Sequence, residues 1–243
     1  MADVTIQSTE KMVGANHPTL TDTLNRLGLV EHNNDGTHKK LTQVTDPWVD
    51  ARAYGAVGNG TTDDTAALQA ALNLVPINGI LDLANKTYKV SAGLTLANGA
   101  TIRNGKITWS VTSAIDIFTV KDNTIFDNVR FNGSGAIGTV GVPLYQRAIF
   151  GGTNPAIPAI NVTIKNCRFE NMTGGIWSGG ASTDSVPTGW KIFDNHFENI
   201  VGYKGNSEGY AVILTPSSKG LVSGNTFKTI TRFFSRNTRI NHF

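Results

Sequence analysis

Two glutamates in this chain recur within the same local sequence. Glu170 lies in Phe169-Glu-Asn-Met and Glu198 in Phe197-Glu-Asn-Ile, so the two segments occupy equivalent positions of a repeat. If successive repeats stack as neighbouring parallel strands, their backbones lie about 5 Å apart. Two carboxylates separated by about 5–5.5 Å suit cleavage of a glycosidic bond with retention of configuration. Glu170 and Glu198 are therefore the first catalytic hypothesis, and two solvated turn residues are the alternative.

A second set of candidates lies in two long insertions, residues 173–189 and 201–210. Asp184 and Glu208 are the acids of these insertions and form the alternative catalytic pair. Long loops on a rigid scaffold often carry binding residues, and flat aromatic rings suit the apolar faces of sugars. The competing interpretation is that both acids cap turns and that the tryptophan packs beneath its loop. The aromatic residues predicted to contact a substrate are Trp177, Tyr203 and Tyr210.

The elements that position these residues form a loose internal repeat beyond residue 80. In each repeat an apolar residue is followed two or three positions later by asparagine, and then by isoleucine or phenylalanine. A single coil of this kind cannot bury its apolar residues, but stacked coils build one continuous core. The template predicts an aligned apolar column of Ile107, Phe131, Phe169, Phe197 and Phe227.

The asparagines of the template predict a second aligned column. Asparagine tolerates the left-handed backbone of a sharp turn, and its amide can bond to the amide of the next coil. These residues are interpreted as structural and not as ligands. Cys167, the only cysteine, lies between two such positions and is predicted to be a small core residue and not a nucleophile. The predicted ladder comprises Asn104, Asn128, Asn166, Asn195 and Asn225.

The segment ahead of the repeats contains the clearest local signals. Residues 51–56 predict a short extended piece, and a glycine turn follows at residues 58–60. A helix is predicted to begin at residues 61–64, where a threonine hydroxyl can accept backbone N–H groups and two carboxylates favour the helix N-terminus. Leu68 and Leu72 recur at the i, i+4 spacing of an apolar stripe. This helix is predicted to be a lid over an open sheet edge.

The same segment carries a family resemblance. Tyr54-Gly-Ala-Val-Gly-Asn-Gly-Thr-Thr-Asp-Asp-Thr-Ala-Ala-Leu-Gln-Ala-Ala resembles the entry segment of the pectate-lyase-like superfamily, many members of which are bacteriophage tailspikes and capsule depolymerases. The resemblance implies an all-β fold: a right-handed parallel β-helix with a short N-terminal capping α-helix and a small N-terminal extension. This superfamily contains lyases, hydrolases, isomerases and receptor binders, so the fold alone does not determine an activity.

The chain divides into two predicted parts. Residues 1–47 contain Glu31-His-Asn-Asn-Asp-Gly-Thr-His-Lys, which resembles N-terminal segments of phage tail fibres and tailspikes and implies tail attachment or oligomerisation. Residues 48–243 are predicted to be the β-helix domain, with an entry strand and capping helix at residues 50–76 and coils from about residue 80. The sequence after Thr231 leaves the repeat template, so a truncated or frameshifted end is expected.

Composition excludes several function classes. The formal net charge of +3 arises from three arginines after Thr231, so the basic character does not indicate nucleic acid binding. Residues 1–12 lack the apolar core of a signal peptide, and no apolar run is long enough to span a membrane. The histidines lack metal-ligand spacing. Neither a metal nor a cofactor is predicted.

Two functions follow from the residues and the resemblance. In the first, a phage tailspike-like protein binds a bacterial capsular polysaccharide or lipopolysaccharide and depolymerises it as a glycoside hydrolase or polysaccharide lyase. In the second, a non-enzymatic tail component consists of the anchor and first coils without a competent active site. The resemblance implies a homotrimer in the virion tail of a phage or prophage, made in the host cytoplasm and joined to tail or baseplate proteins through residues 1–47.

Overall fold

The computed structural model describes residues 48–152, 159–179, 187–203, 208–215 and 220–232. These residues form a parallel β-helix of about 6 turns with a single α-helix, which confirms the predicted fold. The predicted segment 1–47 lies outside the described residues. The strands of each coil pair in parallel with those of the next, so the chain returns to the same wall once in every turn.

Two sheets form the walls of the helix. The larger sheet has 12 strands and bends at a corner, and the smaller sheet has five. The larger sheet contains β1 (Trp48–Asp50), β2 (Asn59–Asp63), β3 (Ile80–Asp82), β4 (Thr87–Lys89), β6 (Thr101–Thr108), β8 (Ile125–Asn132), β10 (Thr163–Lys165), β11 (Arg168–Met172), β13 (Trp190–Phe193), β14 (His196–Ile200), β16 (Gly220–Ser223) and β17 (Thr226–Ile230). The smaller sheet contains β5 (Leu94–Thr95), β7 (Ile115–Thr119), β9 (Gln146–Phe150), β12 (Gly174–Trp177) and β15 (Tyr210–Ile213).

The predicted apolar column is confirmed. Its members lie opposite one another in β6, β8, β11, β14 and β17, and the first four are fully buried. The rings of Phe131 and Phe169 stack with centroids 4.9 Å apart, those of Phe169 and Phe197 at 4.7 Å, and those of Phe197 and Phe227 at 5.2 Å. This spacing follows the separation of neighbouring strands, because each coil contributes one ring to the same position.

The predicted asparagine ladder is correct in three coils and wrong in the last two. Asn104, Asn128 and Asn166 adopt φ values of 56°, 56° and 54° at the corner of the larger sheet. In the next two coils this left-handed position is occupied by Asp194 (φ 55°) and Gly224 (φ 62°). The corner requires a left-handed backbone, which aspartate and glycine also tolerate, so the asparagines of these coils are displaced by one residue.

The displaced asparagines bond inside the coil stack. Asn195 is buried, and its Oδ1 accepts the backbone N–H of Cys167 at 2.8 Å while its Nδ2 donates to Oδ1 of Asn225 at 3.0 Å. Cys167 is buried beside this pair, and burial raises the pKa of its thiol to about 12. The prediction of a small core cysteine is therefore confirmed, since the thiolate needed for nucleophilic chemistry is disfavoured.

A second asparagine ladder follows the phenylalanine column and was not predicted. Nδ2 of Asn171 donates to Oδ1 of Asn132 at 2.9 Å, and Nδ2 of Asn199 donates to Oδ1 of Asn171 at 2.7 Å. Asn171 and Asn199 both have a φ of 56°. These are the asparagines of the Phe-Glu-Asn strings, so the ladder aligns the two strands that carry Glu170 and Glu198.

The predicted capping helix is present and begins later than expected. Helix α1 spans Thr65–Leu72 and buries Leu68, Ala71 and Leu72. The side chain of Gln69 accepts the N–H of Thr95 at 3.0 Å and donates to its carbonyl at 3.2 Å, which covers the free edge of β5. The lid interpretation is consistent with these bonds, because an uncovered strand edge would expose unpaired backbone groups.

The start of the helix differs from the prediction in its capping residue. Residues 61 and 62 lie in strand β2, which pairs with β4, so their hydroxyls do not cap the helix. The carboxylate of Asp63 accepts the N–H of Thr65 at 3.0 Å instead. The prediction of an extended piece at residues 51–56 is wrong, because Ala51–Tyr54 form a short 3-10 helix. The entry strand is β1, which lies just before it.

Asp64 has a different role from that of its neighbour. It is buried, and its two oxygens accept the backbone N–H groups of Val57 at 2.7 Å and Gly58 at 3.1 Å. The carboxylate therefore closes the glycine turn ahead of β2. Buried carboxylates require such donors because an unbonded charge in the interior is costly.

Candidate functional site

The candidate site is a groove over three strands of the smaller sheet. Arg147 of β9 lies opposite Gly174 of β12, which lies opposite Tyr210 of β15, and Phe150 lies opposite Trp177 in the same sheet. Side chains from three successive coils thus meet at one surface. The groove is lined by Tyr145, Arg147, Thr173, Gly174, Ile176, Trp177, Tyr210 and Ile213.

Arg147 organises the aromatic side chains of the groove. Its guanidinium carbon lies 4.0 Å from the ring centroid of Phe150 and 4.5 Å from that of Trp177. Asp116 of β7 holds the guanidinium through two bonds, of which the Nη2–Oδ2 bond measures 2.7 Å. A cation placed over a ring face is attracted by the ring quadrupole. Arg147 is therefore part of a fixed aromatic platform, and its charge is balanced by Asp116.

Gly174 makes room for this platform. A Cβ atom at Gly174 would lie 2.9 Å from Cγ of Arg147, a separation too short for two carbon atoms in contact. The missing side chain leaves room for the stem of Arg147 beside β12.

Trp177 both lines the groove, as expected of a substrate-contacting residue, and packs against its neighbours, as in the competing interpretation. It lines the groove and packs edge-on against Phe150, with ring centroids 5.7 Å apart. Its indole N–H is buried and has no hydrogen-bond acceptor among the described residues. The residue is thus packed down at its polar edge, and its aromatic surface is the part that lines the groove.

Tyr210 forms the opposite side of the groove. The guanidinium of Arg232 lies 5.2 Å from its ring centroid and donates to the carbonyl of Glu208 at 3.0 Å. The structure therefore brings together two of the three predicted aromatics, Trp177 and Tyr210. The ring of Tyr203 is not among the groove-lining residues in the described part of the chain.

Glu208 has the turn-capping role that was the alternative to catalysis. Only 1% of its surface is exposed. Its Oε2 accepts the backbone N–H groups of Gly138 at 3.0 Å and Tyr203 at 3.2 Å, and its Oε1 accepts that of Leu144. The carboxylate is therefore engaged with the backbone of two loops. Its predicted partner Asp184 lies outside the described residues.

The predicted neighbours Glu170 and Glu198 lie opposite each other in β11 and β14. Arg168 bridges them, since its Nε donates to Glu170 and its Nη2 to Glu198, both at 2.6 Å. Arg130 also contacts Glu170, and Lys228 contacts Glu198 at 2.7 Å. The two carboxylates thus belong to a ladder of ion pairs on the larger sheet, away from the strands that form the groove.

These partners determine the protonation of both glutamates. Burial raises the pKa of Glu170, but the hydrogen bonds and charges of Arg130 and Arg168 outweigh it and hold the pKa below its ordinary value. The hydrogen bonds from Lys228 and His196 lower the pKa of Glu198. A retaining pair needs one protonated carboxyl as the acid. Both groups are ionised at neutral pH, so the contacts of this pair favour a structural role, and its catalytic role stays a prediction.

Glu170→Gln is expected to destabilise the fold by on the order of 1–2 kcal/mol at neutral pH, because it removes charged hydrogen bonds from an almost buried group. The folded pKa lies below the unfolded value of about 4.3, so this contribution is present above that pH and is lost as the pH falls through the folded value. The difference in the free energy of unfolding between wild type and variant should therefore be smaller at about pH 3 than at neutral pH. Urea unfolding at both pH values measures it.

Glu198→Gln is the matched control in the same ladder. Its side chain is 25% exposed, compared with 8% for Glu170, so a smaller loss is expected. Equal stability of wild type and Glu170→Gln at neutral pH would contradict the structural role of the ladder.

Sequence reasoning missed Asp116, Tyr145, Arg147 and Phe150. Strand β9 does not carry the asparagine template, so its side chains had no repeat position to align them. The available signal was the separation of 31 residues between Asp116 and Arg147, which corresponds to about one coil. A charge pair at that spacing is what an ion pair between stacked strands requires.

Across residues 48–232, excepting the undescribed stretches, no three histidine, cysteine, aspartate or glutamate side chains lie together as metal ligands would. In the same residues, no helix has the length and apolarity to cross a membrane.

Comparison with known families identifies the entry segment. Residues 56–96 match the family model described as the N terminal extension of bacteriophage endosialidase. The match covers helix α1 and the strands around it, where the sequence itself resembles phage tailspike entry segments. It confirms that resemblance for this part of the chain.

Solved β-helix structures resemble the chain at low identity. The A-module of mannuronan C-5 epimerase AlgE6 from Azotobacter vinelandii has 19% identity and a TM-score of 0.47, and the match covers 73% of this chain and 57% of the epimerase module. For the tailspike protein of Acinetobacter baumannii phage AM24 the identity is 15% and the TM-score 0.32, with coverages of 85% and 48%. For ORF18 of Geobacillus virus E2 they are 13% and 0.33, with coverages of 85% and 64%. The chain thus spans about half to two thirds of these structures, and likenesses of this size say nothing about activity.

Proposed function

We propose that this chain is a phage tail protein that binds a bacterial surface glycan in the groove over β9, β12 and β15. The observation that carries the proposal is the convergence of Tyr145, Trp177 and Tyr210 from three coils around Arg147. Aromatic rings present flat apolar faces to the C–H groups of sugars, and the strands beneath them hold the rings in fixed positions.

The match of residues 56–96 to an extension of bacteriophage endosialidase supports the phage assignment. Capsular polysaccharide and lipopolysaccharide are the glycans that a phage tail meets at the bacterial surface. A position in the virion tail, a homotrimer, and attachment to tail or baseplate proteins through residues 1–47 are proposed on the resemblance alone.

Binding without cleavage is the function that the described residues support best. Glu170 and Glu198 are paired with cations on the other sheet, and both oxygens of Glu208 accept backbone N–H groups. Asp116 is held by Arg147. Each of these carboxylates is therefore already bonded, whereas a hydrolase needs one that can carry a proton. Depolymerisation stays a prediction.

The test is to incubate the purified full chain with capsular polysaccharide and with lipopolysaccharide from candidate host strains. Retention of the chain on immobilised glycan measures binding, and size-exclusion chromatography of the glycan detects shortened oligosaccharides. We expect saturable binding and an unchanged glycan length. Shortened products would establish a depolymerase. If the chain binds none of the host glycans, the proposed function is wrong.

A further inference from the structure

We infer that Glu208 is a positioning residue for the glycan groove. Its carboxylate fixes the loop of residues 136–144 against the start of β15, so that Tyr145 and Tyr210 line one groove. The expected effect on glycan binding rests on the proposed function. The structural part, attachment of the loop to the buried carboxylate of Glu208, can be tested independently.

The contacts of Glu208 join the two sides of the groove. Leu144, whose N–H bonds to Oε1, directly precedes the lining residue Tyr145. Glu208 itself lies two residues before Tyr210. Its Oε2 accepts from Gly138 in the middle of the same loop and from Tyr203 in the turn before β15. One side chain therefore connects the loop before β9 to the insertion before β15, two coils further along the chain.

The surrounding backbone is shaped around this carboxylate. A Cβ atom at Gly138 would overlap Oε1 of Glu208, and one at Gly202 would overlap its Cβ. Glycine at both positions lets the two backbones approach the acid closely. Because the buried charge accepts three backbone N–H groups, its desolvation is compensated, and those N–H groups are satisfied in turn.

Apolar burial does not hold the loop in place. Ile137, Val140 and Val142 are 47%, 74% and 64% exposed. The bridge between Thr139 and Val142 closes the loop upon itself. Hydrogen bonds to Glu208 attach the loop to the coil stack at residues 138 and 144, where the carbonyl of Leu144 also accepts from the hydroxyl of Thr173. Loss of the carboxylate should therefore loosen the loop at residue 138.

Glu208→Gln is the first test variant, because the amide has one acceptor oxygen and turns two donors toward backbone N–H groups. Asp64→Asn is the matched control. Asp64 is equally buried and also accepts two backbone N–H groups, but it lies beside helix α1 and outside the groove. Both variants should lose stability. Only Glu208→Gln should lose affinity for the glycan that the wild type binds, by about tenfold.

Thermolysin digestion of the native chain supplies a readout that needs no glycan. Thermolysin cleaves before exposed isoleucine, valine and leucine, so a loop released from Glu208 should be cut within residues 136–144. We expect this new cut in Glu208→Gln and its absence in wild type and Asp64→Asn. If the wild type binds no glycan, the proposed function fails while the digestion still tests the positioning role.

Gly138→Ala keeps the inference testable if Glu208→Gln does not fold. Its added Cβ displaces the loop from the carboxylate without changing the acid. The same new cut and the same loss of affinity are expected. Wild-type affinity and an uncut loop in the folded variants, or an equal loss of affinity in Asp64→Asn, would overturn the inference.

Discussion

Phe169→Ala is expected to destabilise the β-helix by about 3–5 kcal/mol. The Phe169 ring is fully buried and lies between Phe131 and Phe197, stacked at interplanar angles of 11° and 8°. Truncation removes both ring contacts and leaves a cavity in the middle of the column. Rigid strands on each side limit the collapse of that cavity. Urea unfolding followed by circular dichroism measures the free energy of unfolding and its denaturant dependence.

Phe227→Ala is the control for position within the column. Phe227 stacks on Phe197 at the last described coil, and it is only partly buried. Its loss should therefore cost less than that of Phe169. In a solenoid each coil is stabilised by its neighbours, so a central defect affects two interfaces. A cost for Phe227→Ala that equals or exceeds that of Phe169→Ala would show that the column is not the main source of stability.

Trp177→Ala is expected to lower the affinity for the bound glycan by about ten- to a hundredfold, since large aromatics at a binding site commonly contribute 2 kcal/mol or more. The substitution removes one of the rings that line the groove, which is also one of the three rings against the guanidinium of Arg147. Tyr145 and Tyr210 then lose the surface between them. Titration of the chain against the glycan identified in the binding assay measures the effect.

Trp48→Ala supplies the matched control for this substitution. Trp48 is 49% exposed on the larger sheet, and the guanidinium of Arg103 lies 3.8 Å from its ring centroid. It thus reproduces the tryptophan–arginine contact on a surface outside the groove. Unchanged affinity in Trp48→Ala is expected. Equal losses in the two variants, or none in a folded Trp177→Ala, would contradict the assignment of the groove.

The repeat made the fold predictable in some detail. One phenylalanine at the same template position in each coil is enough to predict a column, because stacked strands place equivalent residues in contact. The opposition of Glu170 and Glu198 followed from the same alignment. The asparagine ladder failed in the coils where asparagine follows the apolar residue after three positions and not after two. Asp194 and Gly224 took the left-handed corner there, a choice that local sequence permits equally well.

The candidate site was predictable only in part. Trp177 and Tyr210 were found as members of the two insertions, although the structure places them in strands β12 and β15. Arg147 and its partner Asp116 belong to strands without a template. The contact between Arg147 and Asp116 depends on register across coils of unequal length, and a shift of one residue would turn each side chain to the other face. The need for glycine at residue 174 follows only from the arginine stem packed beside it.

The sequence by itself determined the β-helix, its apolar column and the lid helix, because these depend on local pattern and on a repeat that stacks in only one way. Only the tertiary structure shows which groups surround the acids. Glu208 lies in an insertion of the sequence, and the fold shows that the backbone of residues 138 and 144, two coils away, directs its N–H groups at the carboxylate. Glu170 and Glu198 lie opposite each other as predicted, and the fold places Arg130, Arg168 and Lys228 around them, while their catalytic role stays a prediction. The protonation state and the hydrogen-bond partners of a carboxylate depend on its neighbours in space, and loops of unequal length determine those neighbours in this chain.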